Sequence, residues 1–379
     1  MRPRRFPHVA HPLVFVAQHP SDIAATPVAW LDRLRSEGFD VWVSSPDVDA
    51  LDEIAYEGFR VLPIPGQLER NVAAWLGAYV MLQAHFLQIR PSLVHGIGIP
   101  WAFIASFAAH RAEAAAVIAT IDRLAEPRLL SQLVDRMPGA VRRRLEVADP
   151  HALLGSWVHA CLATHEVVLA RLLESNAIEG EKLELVLGGH GVDLEAFDVD
   201  VVPTSELARQ RLDVPPSARW VVGAAGPWTK ACVRNLRRFE HELARTHPAA
   251  VWLAAGASEG PAALVSDRTP AFFRALDMFV ALDPRDWETT AMMEAAALGV
   301  PTVAIDSPAA RTVVADGRSG RIVSDDALVE VLRSLLDDPA TRRELGRGAL
   351  ARARERFDRR HVEEQMLGVY ERTLRRGLQ

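Results

Sequence analysis

Thr290-Ala291-Met292-Met293-Glu294-Ala295-Ala296-Ala297-Leu298-Gly299-Val300-Pro301-Thr302-Val303-Ala304 reads as one helix followed by one strand. Residues 290–298 fit a helix, and Thr302-Val303-Ala304 fits a short buried strand after Gly299-Val300-Pro301. A strand with no polar alternation has no solvent face, so its sheet must be covered on both sides.

The same beat extends outward in both directions. Before this unit, strands fit Trp220-Val221-Val222, Ala250 to Leu253 and Met278 to Ala281, with a helix from about Ala231 to Arg245. After it, helices fit Asp326 to Leu336, Ala340 to Arg354 and, long and amphipathic, Arg360 to Leu374. Upstream, residues 198–217 are polar, carry Pro203, Pro215 and Pro216, and read as a linker. Beyond the linker the alternation starts again. Strands fit Leu13 to Ala17, Val41-Trp42-Val43, Arg60-Val61-Leu62, Leu93-Val94-His95, Val117 to Ile121, Ala160 to Ala163 and Leu183 to Leu187. Helices fit about Val28 to Arg35, Arg70 to Ile89 and Glu166 to Glu174. The pattern predicts an α/β chain of two doubly wound parallel-sheet domains, 1–197 and 218–359, with the last helix, 360–379, packing back on the first. Two such sheets put a ligand cleft at the carboxyl ends of their strands.

Composition narrows the class. The chain has 379 residues, 49% apolar and 24% charged, which suits two ordinary globular cores. A net charge of −6 argues against a general nucleic-acid binder. Cys161 and Cys232 lie far apart in apolar stretches, as buried free thiols would, and offer no metal-type spacing. The basic start Met1-Arg2-Pro3-Arg4-Arg5 leads into no signal-peptide core, and Val72 to Ile89, interrupted by Gln83, His85 and Gln88, reads as a buried helix. A cytoplasmic protein is expected. Arg142-Arg143-Arg144, near Arg136, fits a solvated helix face, with contact to an anionic membrane face as the other reading. Asp47-Val48-Asp49 and Asp198-Val199-Asp200 have a form that binds metal elsewhere, but that dipeptide spacing arises readily by chance. His8 and His11 are too few for zinc, so no metal is expected. Gly96-Ile97-Gly98 and Gly188-Gly189-His190-Gly191 complete no dinucleotide fingerprint.

Several motifs, in order, carry a family resemblance. Asp286 to Ala304 resembles the hallmark region of the retaining family-four glycosyltransferases of GT-B architecture, in which two acids spaced Glu-x7-Glu precede Ala-x-Ala-x-Gly-x-Pro-Val. Gly191-Val192-Asp193-Leu194-Glu195-Ala196-Phe197 is similar to that family's Asn-Gly-Val-Asp-x-x-x-Phe turn. Pro91-Ser92-Leu93-Val94-His95 resembles its Pro-Asp-Val-Val-His strand. Gly317-Arg318-Ser319-Gly320, with Ile322-Val323, resembles its Asn-Gly-x-x-Gly-x-Leu-Val, and residues 354–370 resemble its closing helices. The resemblance implies two Rossmann-like domains and sugar transfer with retention from a nucleotide-sugar co-substrate. It implies neither cofactor nor metal. The acceptor, whether glycan, lipid or small molecule, is left open.

In that reaction, charge develops on a diphosphate leaving group, and fixed cationic donors with a helix N-terminus would hold it. The resemblance assigns Lys230, one of only two lysines, to the diphosphate and Glu294 to the donor ribose, with Thr289 and Thr290 in the donor loop. Lys230 read without the family is a surface lysine, and Glu294 a first-turn helix acid. Thr290 also fits a helix N-cap. Asp122 and Asp286 are the catalytic candidates, and His19, Ser21 and His95 stand on the acceptor side; His95 fits a structural histidine equally well.

The chain departs from the family at several of these positions. Its N-terminal loop, His19-Pro20-Ser21-Asp22-Ile23-Ala24-Ala25-Thr26, has no glycine, and Asp22 would repel phosphate. Asp122 stands where a histidine is frequent, Ala225 near the usual phosphate-binding arginine, and Asp286 for the first glutamate, followed by Trp287 and Glu288. Between Leu253 and Met278 the chain is short where relatives carry a further strand and helix. Two readings follow. One is an active transferase of hexosyltransferase type. The other is an inactive chain of the same fold that binds or scaffolds a partner protein.

Overall fold

The computed structural model describes residues 11–24, 27–65, 72–122, 150–187, 189–225, 228–256, 263–265, 269–282 and 289–377. Those residues divide into two units: 1–189 with 363–379, and 190–362.

The first unit is built on seven parallel strands: β1 (His11–Val16), β2 (Phe39–Ser45), β3 (Arg60–Pro63), β4 (Leu93–Ile97), β5 (Val117–Ile121), β6 (Ala160–Ala163) and β7 (Leu183–Leu185). Their order is β3-β2-β1-β4-β5-β6-β7. Helices α1 (Pro27–Glu37), α2 (Val48–Tyr56), α3 (Val72–Ile89), α4 (Trp101–Arg111), α5 (Pro150–Trp157) and α6 (Glu166–Ser175) connect them. Leu13, Val14, Phe15 and Val16 are all fully buried, as an interior strand covered on both faces requires, so β1 shows no alternation there. α3 differs from the buried helix its apolar sequence suggests. Ala78, Leu82 and Phe86 are buried on one face, while Leu76, Val80 and Leu87 are exposed on the other. No helix among the described residues is long and apolar enough to cross a membrane.

The second unit has six parallel strands: β8 (Trp220–Ala225), β9 (Ala250–Ala255), β10 (Ala263–Val265), β11 (Met278–Ala281), β12 (Thr302–Ile305) and β13 (Gly320–Val323). They lie in the order β10-β9-β8-β11-β12-β13. Helices α7 (Ser205–Arg211), α8 (Lys230–Ala244), α9 (Pro270–Ala275), α10 (Thr290–Ala297), α11 (Pro308–Val313), α12 (Leu328–Asp337) and α13 (Pro339–Arg356) complete it. Phe239, Leu243, Trp252, Met278, Leu332 and Leu336 share its main core.

Two sequence expectations change with the structure. The segment between β9 and β11, read as lacking a strand and a helix, contains both: β10 pairs with β9 from Ala263 to Val265, and α9 follows. The compact β10-α9 pair was hidden because three strand residues leave too short a pattern to read. Residues 198–217, read as linker, include α7, whose Arg209 donates to Asp277 Oδ2 at 2.8 Å and to the Ala275 carbonyl at 2.9 Å.

The final helix, α14 (Arg359–Gly377), returns the chain to the first unit from Glu363 onward. There Tyr370 is fully buried against Trp30 and Phe39, and Arg33 pairs with Glu363 and Glu364. Just before it, the Gly191 turn closes on residues 357–359. Val192 N–H donates to the Phe357 carbonyl at 2.7 Å, and Arg359 N–H donates to the Val192 carbonyl at 2.9 Å. Asp193 accepts from the backbone of Glu195 and Ala196 and pairs with Arg359 at 3.2 Å.

Candidate active site

Each sheet reverses strand order once, and in open parallel sheets ligands bind at the carboxyl ends beside that reversal. In the second unit the reversal lies between β8 and β11, which are hydrogen-bonded neighbours. The helices after these two strands, α8 and α10, therefore open side by side at the sheet's carboxyl edge.

Their first residues are those the sequence singled out. Lys230 is the first residue of α8 and is exposed, and Thr229 caps the helix, its hydroxyl accepting from Cys232 N–H at 3.2 Å. Two side chains that sequence reasoning passed over fix this corner. Trp228 Nε1 donates to the Ala255 carbonyl at 2.8 Å, tying the exit of β8 to the end of β9. Asn235, buried on α8, donates to the Leu282 carbonyl at 2.8 Å and holds the exit of β11. An asparagine between Arg234 and Leu236 in an otherwise apolar helix face was the signal available in the sequence.

On α10 the structure changes two readings. Thr289, not Thr290, is the N-cap, and its hydroxyl makes no capping bond. Glu294 is the fifth helical residue, beyond the first turn where the helix dipole favours a carboxylate. It is only 9% exposed, between buried Met293 and Ala295. Thr289 is buried and Thr290 half-buried. Asp286 lies outside the described residues, as do His8, Arg136, Arg142 to Arg144 and Gly188.

In the first unit the reversal lies between β1 and β4. Trp101 Nε1, at the start of α4, donates to Gln18 Oε1 at 2.6 Å, and Ser45 Oγ donates to the Gln18 carbonyl at 2.8 Å. The loop after β1 forms a 3-10 turn over Pro20–Asp22. Its Asp22 carboxylate accepts the His19 backbone N–H at 2.9 Å, so an amide that a glycine-rich loop would offer to phosphate is already engaged. The His19 ring meets Asp47 Oδ2 at 2.9 Å, and that hydrogen bond holds the Asp47 carboxyl below the usual carboxylate range. Ser21 is exposed beside it. Asp122, half-buried, follows β5 at the same edge of the sheet, with Oδ1 4.0 Å from where a Cβ on Gly98 would stand.

His95 does not belong with this group. It is 1% exposed; Nδ1 meets the Tyr370 hydroxyl at 2.9 Å and Nε2 the Thr120 hydroxyl at 2.7 Å. A ring enclosed in this way fastens α14 to the sheet. The two Asp-x-Asp sequences are also local devices. Asp47 caps α2 by accepting from Ala50 N–H at 3.1 Å, and Asp198 accepts from Asp200 N–H at 2.9 Å.

Comparison with known proteins agrees with these elements. The family model of glycosyl transferases group 1 matches residues 264–352, and that of glycosyl transferase 4-like proteins matches residues 15–129. Among curated proteins, no sequence matches the chain. A glycosyltransferase from Rickettsia africae superposes with a TM-score of 0.72 at 13% identity, covering 97% of this chain and 99% of its own. Anabaena HepE, solved with UDP-glucose, gives 0.71 at 14% identity, covering 95% and 99%. The sucrose-phosphate synthase of Thermosynechococcus elongatus gives 0.71 at 15%, covering 96% and 98%.

Proposed function

We propose that this chain, a GT4-like glycosyltransferase of the GT-B fold, moves a sugar from a nucleotide-sugar donor to an acceptor with retention and without a metal. The observation that carries the reading is the pair α8 and α10. Both open beside the β8/β11 reversal, one beginning with an exposed lysine and the other burying Glu294.

The chemistry suits those groups. As the glycosidic bond to the nucleoside diphosphate breaks, negative charge grows on the phosphate oxygens. Lys230, with the N-terminal ends of α8 and α10, would meet that charge without reorganising. Glu294 would accept two hydroxyl hydrogen bonds from a ribose and so fix the donor's distance from the cationic corner. Asp122 is the catalytic candidate of the first unit, with His19 and Ser21 on the acceptor side.

A second reading has its own observation. The β1 loop closes on its own Asp22 carboxylate instead of leaving amides for phosphate. In that reading the chain keeps the fold, has lost catalysis, and serves as a binding subunit beside a partner protein.

The experiment is thermal unfolding against a panel of nucleoside diphosphates and nucleotide sugars. A ligand at 100 times its dissociation constant stabilises by about 2.7 kcal/mol. Lys230→Ala and Glu294→Gln should each remove most of that shift, and Lys230→Ala should cut turnover about 100- to 1000-fold, the usual loss for one fixed donor. Absence of any shift at millimolar nucleotide would sink the transferase reading and leave the binding subunit.

A further inference from the structure

α8 carries a second feature, of which donor binding uses only the first residue, Lys230. Lys230, Arg234, Arg237, His241 and Arg245 recur at intervals of four, three, four and four residues, and all five are exposed. At 100° per residue they fall within about 80° of arc, and from Arg234 to Arg245 the row runs about 16 Å. Among the described residues, Arg234, Arg237 and Arg245 have no carboxylate partner. Some other arginines of the unit do: Arg238 pairs with Asp325, Arg209 with Asp277 and Arg311 with Asp306, whereas Arg219, Arg318, Arg347 and Arg354 also lack one among the described residues.

The row is narrow. Glu240 and Glu242 lie about 60° beyond its two edges on the same helix. A flat anionic surface would press on these acids as well as on the bases. A single chain of charges would follow the bases and miss the acids. None of the exposed large apolar side chains among the described residues lies on α8, so no side chain of this face inserts into lipid. The row has no Phe, Tyr or Trp on which a nucleobase could stack. The bases are spaced about 4.5 to 6 Å along the helix axis, close to the length of one sugar ring.

We infer that the exposed row Arg234, Arg237 and His241 on α8 with Arg245 at its C-cap is a binding track for a linear anionic glycan, one that carries a carboxylate, phosphate or sulfate on successive sugars. The choice of a glycan among linear polyanions rests on the transferase reading; the track itself does not. In a chain of net charge −6 the attraction is local, so binding should be strongly salt-sensitive.

The test measures binding of a fluorescent oligogalacturonate to the full chain by anisotropy, in parallel with a single-stranded oligodeoxynucleotide and with vesicles rich in phosphatidylglycerol. If three arginines engage, affinity should fall about 20-fold between 50 and 200 mM salt, and about threefold in R234Q/R237Q, where one remains. At 50 mM salt the double variant should bind at least tenfold more weakly than the parent. A nucleotide-dependent thermal shift equal to the parent's would show that the variant is folded with its donor corner intact. Failure of the parent to bind oligogalacturonate, or equal binding by R234Q/R237Q, overturns the inference. So does tighter binding of vesicles or oligodeoxynucleotide that the same substitutions abolish. Oligogalacturonate binding in a chain that answers to no nucleotide would support the track while overturning the transferase reading.

Discussion

Gly191→Ala should be strongly damaging to the second unit, and Gly317→Ala supplies its control. Both glycines hold left-handed backbone, with φ of +67° at Gly191 and +71° at Gly317. For an L-residue that conformation costs about 1–2 kcal/mol at either position. They differ in what a methyl group would meet. At Gly317 nothing lies within 4 Å. At Gly191 the new Cβ would stand 2.8 Å from the Phe357 carbonyl oxygen and 2.9 Å from Arg359 Cα, and backbone cannot swing aside as a side-chain tip can. Relief would pull the turn off residues 357–359 and stretch the two bonds that join Val192 to Phe357 and Arg359. Each is worth about 0.5–1.5 kcal/mol. Gly191→Ala should therefore lose about 2–5 kcal/mol, against about 1–2 for Gly317→Ala. For a unit of this size the first corresponds to a fall in Tm of roughly 5–15 °C, the second to a few degrees. Calorimetry reads the difference, and hydrogen exchange at the Val192 and Arg359 amides locates it. Equal Tm changes in the two variants, or undiminished protection at both amides in Gly191→Ala, would refute the steric argument.

Other outcomes can be checked alongside it. Tyr370→Phe leaves the buried His95 Nδ1 without its hydroxyl partner and should cost about 1–3 kcal/mol in chemical denaturation. Burial raises the Tyr370 phenol well above its ordinary value near 10. The folded state thus holds that proton more tightly than the unfolded state. The resulting stability is complete below pH 10 and declines as pH rises above it. Tm measured from pH 8 to 11 should fall more steeply above pH 10 in the parent than in Tyr370→Phe; parallel curves would exclude this origin. Burial likewise pushes the Cys161 thiol up to about 12, so alkylation at pH 8 followed by peptide mapping should find Cys161 unmodified until denaturant unfolds the chain.

The fold was legible where residues are buried on both sides. β1, β5, β6, β11 and β12 stand within a residue or two of their sequence readings because nearly every residue in them is apolar and the runs end at polar breakers. Legibility failed where the element was short or where its partner was distant. β10 has three residues, too few for any period to declare itself. α7 looked like linker because its apolar contact is small and its anchor, Arg209 on Asp277, joins residues 68 apart in sequence. His95 shows the same limit at a single side chain. Nothing near it in sequence says that a tyrosine 275 residues later closes on its ring.

The candidate site divides along the same line, for a physical reason. Lys230, Thr289 and Glu294 were singled out by the motifs of the family resemblance, which fall just after strands that the sequence shows. Of the side chains that fix this corner, only Asn235 left a trace in the sequence, as a polar residue on an apolar helix face. Trp228 and Asn235 act through single hydrogen bonds to the carbonyls of Ala255 and Leu282, which belong to other strands or their exits and look like any other carbonyl in the sequence. Asp22 is the instructive case. As a lone charge in a phosphate loop it reads as repulsion, which treats the loop as an open cradle with one wrong residue. In the structure its carboxylate takes the His19 amide, and the loop is a closed 3-10 turn. Restoring phosphate binding there would thus require more than removing a charge. Asp22→Gly should release the amide but leave Pro20 and the His19–Asp47 pair holding the same turn. Isothermal titration with inorganic phosphate should therefore show no binding at this loop in the single variant. If that one substitution sufficed for binding, Asp22 alone would set the turn, and the His19–Asp47 pair would have no part in holding it.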